Sequence, residues 1–137
     1  MSYRDILKAQ LKIDEGVKAK PYRDSVGKLT VGCGHNIDDK GLPPQVIDLL
    51  LEMDMDDAEA TAKKLFPSFE GLSDERKAVL TNMAFNLGEE KLGMFRKFRR
   101  AILEENWDQA ATEMLCSQWS DQVGQRAVRL AKAMRIG

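Results

Sequence analysis

The segment from Glu15 to His35, EGVKAKPYRDSVGKLTVGCGH, constrains the fold more than any other part of this chain. Around it the sequence reads as helices; inside it no helix can persist. Gly16 stops a helix that begins near Tyr3, leaving Glu15 at its C-terminal end. Pro21 is expected to break the chain again. From Tyr22 to Ile37 the period falls to two, with Leu29, Val31 and Cys33 alternating and Val26-Gly27-Lys28 as the turn of a short β-hairpin. Gly32 and Gly34 mark positions where another backbone, or a ligand, comes close.

On either side the apolar residues recur at helical spacing. Ile6, Leu7, Leu11 and Ile13 define a helix over residues 3–14. Gly41-Leu42-Pro43-Pro44 predicts a turn into a helix ending near Met53. Asp54 or Asp56 then reads as the cap of another, running to Phe66 and stopped by Pro67. Ser73-Asp74-Glu75 opens a helix to Leu87-Gly88 that is apolar on nearly every side, as suits the middle of a bundle. Three more helices follow. Met94, Phe95, Phe98, Ile102 and Leu103 define the first, with Arg96, Lys97, Arg99 and Arg100 on its wet side; Trp107 to Leu115 and Ala127 to Met134 define the others. The expected class is α+β: one domain over residues 1–137, comprising a small lobe with a hairpin (1–55), a connecting helical segment (56–72) and a helical lobe (73–137).

Composition narrows the function. With 43% apolar and 31% charged residues the chain suits a soluble globular protein, and no apolar run approaches the roughly 20 residues that span a bilayer. Stable membrane insertion is therefore not expected. Arg4, Asp5, Lys8 and Lys12 leave no secretory segment at the start, so synthesis in a cytoplasm is expected. Cys33 and Cys116 lie far apart without a CxxC motif and read as reduced, buried thiols. With His35 the single histidine, they make no zinc site, and a protein without metal or cofactor is expected. The net charge is −1, with an acidic middle and a basic final third, too balanced for a nucleic-acid binder.

Chemical specificity concentrates in Glu15-x8-Asp24-x5-Thr30. Two carboxylates in different surroundings, with a hydroxyl able to hold a water, suit acid-assisted hydrolysis of a sugar–sugar bond. Glu15, at a helix C-terminus beside Ile13 and Val17, is placed where the protonated form is favoured, as a general acid requires. Asp24, beyond Pro21 in a more polar loop, suits the ionised form. Neither a Cys33–His35 nucleophile pair, lacking an orienting third group, nor a phosphate loop at Gly27-Lys28 is supported.

These residues resemble the phage-type lysozymes, the T-even muramidase group of glycoside hydrolase family 24. The likeness rests on Glu15-Gly16, Tyr22-x-Asp24 and Gly27-x-x-Thr30-x-Gly32-x-Gly34-His35. Thr81-Asn82-Met83-x-Phe85-Asn86-x-Gly88 resembles the family's central helix, and Trp107-Asp108-x-Ala110-Ala111, Trp119, Gln122 and Arg126-Ala127-x-Arg129 resemble its C-terminal lobe. The resemblance implies a lysozyme-like fold and cleavage of the β-1,4 bond between N-acetylmuramic acid and N-acetylglucosamine in peptidoglycan. It implies Glu15 as proton donor, Asp24 and Thr30 positioning a water on the opposite sugar face, and an inverting outcome. Asn36 (where the family has leucine), Phe85 and Arg126 are the substrate-binding candidates. It further implies a phage or prophage lysis enzyme, made in the host cytoplasm and acting on the wall in the periplasm with a holin's help; a monomer is the default expectation. The alternatives are a lytic transglycosylase or a catalytically silent peptidoglycan-binding protein.

Overall fold

In the computed structural model, which describes residues 1–137, the chain forms two units, Met1–Leu49 and Leu50–Gly137. The first holds helix α1 (Tyr3–Glu15), the antiparallel strands β1 (Lys18–Arg23), β2 (Leu29–Gly32) and β3 (His35–Asn36) in that spatial order, and the short helix α2 (Ile37–Lys40). α1 starts with a capping box: the Ser2 hydroxyl accepts from the Asp5 amide, and the Asp5 carboxylate accepts from the Ser2 amide. Those bonds from Ser2 hold the Asp5 carboxyl below its ordinary range. Gly16, at φ 73°, ends the helix as its sequence requires.

Pro21 does not break the chain. It lies inside β1, an edge strand, where its missing N–H leaves no ladder bond unmade, and the β1–β2 register is irregular between Lys18 and Tyr22. Along β2, Leu29 and Val31 are half-buried. Thr30, on the face between Leu29 and Val31, is the buried residue of this unit, whereas Cys33 is exposed. Cys116 is exposed too, so both thiols are free and neither is buried as expected.

Helix α3 (Pro44–Leu65) runs from the first unit into the second. The expected break between Met53 and Asp54 is absent: no glycine or proline stands there, and a helical aspartate costs at most about 0.7 kcal/mol relative to alanine. The second unit continues with a 3₁₀ turn (Phe69–Gly71), α4 (Asp74–Gly93), α5 (Arg96–Leu103), α6 (Trp107–Leu115), α7 (Gln118–Val123) and α8 (Gln125–Ile136). α4 is capped by Ser73, whose hydroxyl accepts from the Arg76 amide. Gly88, at φ 80° and ψ 170°, interrupts it where its end was expected, and a short helical stretch resumes to Gly93.

The hydrophobic core lies wholly in this unit. Val79, Leu80, Met83 and Ala84 of α4 pack with Phe66, Phe98, Ile102, Met114, Trp119 and Met134. Phe98 meets Phe66 edge-on at 5.8 Å between ring centroids. Arg99 is not on the wet side of α5: its guanidinium donates to the carbonyls of Leu65 and Gly93, the terminal residues of α3 and α4. Arg76 does the same for Met134 and Arg135 near the end of α8, while lying 3.9 Å from the Trp107 ring centroid. No helix is long and apolar enough to cross a membrane.

Candidate active site

The first unit carries Glu15, Asp24, Thr30 and Asn36; the second carries Phe85 and Arg126. Asp24 follows β1 as the first residue of the hairpin turn. Its Oδ1 accepts from the amides of Val26 (3.0 Å) and Lys28 (2.8 Å), an Asx-turn that fixes the carboxylate and leaves Oδ2 without a protein partner. The Asp24 amide donates back to the Lys28 carbonyl at 2.9 Å. The same carbonyl accepts the Thr30 hydroxyl at 2.9 Å. Asp24 and Thr30 are thus both hung from the backbone of Lys28, a residue that sequence reasoning passed over. Thr30 is only 3% exposed, and with its proton given to Lys28 its hydroxyl oxygen keeps acceptor capacity alone.

Lys28 is itself anchored. Its ammonium lies 3.0 Å from Asp39 Oδ1 on α2, and this bond raises the lysine's pKa and lowers that of Asp39. Asp38 Oδ2 accepts from the Leu29 amide at 2.7 Å. Asn36 caps α2, its side chain accepting from the Asp39 amide and donating to Asp39 Oδ2. His35 Nε2 donates to the Gly41 carbonyl at 2.6 Å. α2 therefore braces the hairpin tip on which Asp24 and Thr30 sit.

Glu15, the last residue of α1, is exposed, and so are Ile13 (82%) and Val17 (65%). The apolar surroundings expected of its sequence neighbours are not formed by them. Its carboxyl group lies instead against Gly34, in the turn between β2 and β3.

In the second unit Phe85 is 47% exposed and lines an open hollow of about 360 Å³ with Leu51, Met55, Thr81, Asn82 and Arg126. It is not a core residue. The Arg126 Nε and Nη2 both donate to Asn82 Oδ1, at 3.0 and 2.7 Å. Asn82 is a second residue the sequence did not single out for a site. Its one legible signal was its place three residues before Phe85 on the same helix face. No three His, Cys, Asp or Glu side chains gather as a ligand set for a metal.

A helix ending in a glutamate, a small sheet with an aspartate in its hairpin turn and a threonine on its second strand, and a helical unit behind them in sequence define a lysozyme-like α+β protein. The chain belongs to the phage lysozyme family, whose model matches residues 12–134. It is 28% identical over 160 residues to Probable T4-type lysozyme 2 of Dictyostelium discoideum, across 96% of this chain and 94% of that protein. Probable T4-type lysozyme 1 of the same organism matches to the same extent. The Pre-baseplate central spike protein Gp5 of Enterobacteria phage T4 is also 28% identical, across 93% of this chain and 27% of its own length. Membership places the protein among the lysozyme-type muramidases.

Proposed function

We propose that the protein hydrolyses the β-1,4 bond between N-acetylmuramic acid and N-acetylglucosamine in peptidoglycan, with inversion. Glu15 gives its proton to the leaving oxygen. The free Oδ2 of Asp24 takes a proton from a water, which Thr30 helps to hold as an acceptor on the opposite face of the sugar. The observation that carries this reading is the shared anchorage of Asp24 and Thr30 on Lys28, because it fixes an anion and an acceptor oxygen to the backbone of one residue. The exposed ring of Phe85 and the clamped guanidinium of Arg126 offer a sugar ring an apolar face and an N-acetyl or carboxylate group a donor. Asn36, with both ends of its amide engaged by Asp39, contributes through the position of the strand it ends.

The protein acts as a monomer on glycan strands, needs no cofactor, and reaches the wall from the cytoplasm of its host with a holin's help. One finding favours a rival product. The near-complete cover over Thr30 limits a water's access to its hydroxyl, which suits a lytic transglycosylase closing a 1,6-anhydro ring. Clearing of outer-membrane-permeabilised Gram-negative cells tests the assignment. Wild type clears the suspension, and Glu15→Gln slows it by about two to four orders of magnitude, the range for loss of a general acid. Lysis by Glu15→Gln at the wild-type rate would remove Glu15 from the mechanism.

A further inference from the structure

The contact between Glu15 and Gly34 joins residues 19 positions apart, across the helix end, β1 and β2. A Cβ at position 34 would stand 2.8 Å from Glu15 Oε2, 2.9 Å from Cδ and 3.1 Å from Cγ. Those atoms form the outer part of the side chain, and no other atom meets that Cβ as closely. Gly34 also has φ 73°, a conformation that costs an L-residue roughly 1–2 kcal/mol. The glycine therefore has two separable roles: it allows the turn, and it leaves the volume in which the carboxyl lies.

The neighbouring glycines separate those roles. Gly32 (φ 70°) and Gly41 (φ 63°) share the left-handed backbone, yet a Cβ at either meets nothing within 4 Å. If glycine at 34 served the turn alone, alanine there would cost stability, as at the other two, without a selective loss of turnover. Glu15 is otherwise exposed, so the surface of Gly34 is what limits where its carboxyl can go.

We propose that Gly34 is a positioning residue for the general acid: its missing side chain sets the place of the Glu15 carboxyl against the β2–β3 turn. This rests on Glu15 being the proton donor. A methyl group at 34 displaces the carboxyl by the margin between 2.8 Å and ordinary contact, near 1 Å, and a shift of that size at a reacting group lowers turnover by about a hundredfold. Substrate binding by the rest of the protein is untouched, so the loss falls on kcat rather than KM.

The test compares Gly34→Ala with Gly41→Ala, each alone and combined with Glu15→Asp, in the full chain with a soluble peptidoglycan oligomer. Thermal melting is measured alongside. Gly34→Ala and Gly41→Ala should both melt lower than wild type, since each puts an L-residue at positive φ (Gly41 at φ 63°, ψ −157°), so kcat is read at a temperature where both are folded. Gly34→Ala should lose about a hundredfold in kcat at unchanged KM, and Gly41→Ala less than about threefold. In the Glu15→Asp background, where the shorter side chain has withdrawn from the turn, Gly34→Ala should have little further effect, a coupling a purely structural defect would not show. Equal kcat losses for the two alanine variants would overturn the proposal. So would an undiminished effect of Gly34→Ala when it is combined with Glu15→Asp. Full activity of Glu15→Gln would instead overturn the role of Glu15, and the two failures are told apart.

Discussion

The two units divide the work unevenly. Every buried apolar side chain lies in Leu50–Gly137, while the candidate acid, base and water-holding hydroxyl lie in Met1–Leu49, where Thr30 is the buried residue. The second unit is held by close packing of Leu80, Met83, Phe98, Ile102 and their neighbours. The first is held by directed bonds: the Ser2–Asp5 capping box, the Asx-turn at Asp24, the Asp38 and Asp39 contacts to the hairpin, and the Asn36 cap. Directed bonds place polar atoms accurately but contribute little net stability each. Packing does the reverse, and the contrast explains why chemistry and core occupy different stretches of sequence.

Substitutions should break along this line, beginning with the largest. Phe98→Ala removes a fully buried ring that meets both Phe66 and Phe95, and should lower unfolding stability by about 3–5 kcal/mol in urea titrations. At a temperature where it stays folded, its kcat should match wild type. Glu15→Gln should show the opposite pattern, activity lost and the urea midpoint unchanged. Arg126→Lys keeps the charge but loses the two-pronged grip on Asn82, and should raise KM about tenfold with little change in kcat.

Smaller effects sharpen the comparison. α5 ends in a Schellman arrangement, with the Asn106 amide on the Ala101 carbonyl and the Glu105 amide on that of Ile102. The left-handed position is held by Glu105, at φ 56°, where glycine is the usual occupant. Glu105→Gly should therefore stabilise the protein by about 1 kcal/mol, read from the same titrations. The smallest effect is the pH response of the hairpin brace. Asp39 is held below its ordinary value of 3.8 by Lys28, so the stability it adds is present above that value and is lost as pH falls through its folded one. Lys28 is raised above 10.5 by Asp39, so its share persists below that value and is lost as pH rises through its folded one. NMR shifts of the Lys28 and Thr30 amides should move on acidification below the carboxylate range while those of the α4 core stay fixed. In Asp39→Asn that movement should shrink to the part owed to Asp24, which accepts from the Lys28 amide.

Much of the second unit was legible because it is punctuated. Ser73, Gly88 and Pro67 mark their boundaries chemically, and α4 reads as central from its composition. α7 was not legible, since six residues with only Trp119 buried give no period. The aspartates of α3 read as caps because a cap and a solvated helical aspartate look alike in sequence. In the first unit the positions of the turn, the helix end and the glycines were readable. The inward face of β2 was not: Leu29 and Val31 drew attention to one side, while the tertiary contacts cover Thr30 on the other. The partners of the site residues were equally hidden. Arg126 and Asn82 are 44 positions apart, and only folding brings them together.

The most direct measurement is the mass spectrum of muropeptides released from purified sacculi. Attack by a water held at Asp24 and Thr30 yields fragments with free reducing ends, each heavier by one water than its anhydro counterpart. Fragments ending in 1,6-anhydro rings would show that no water attacks, and would contradict the hairpin's part in holding one.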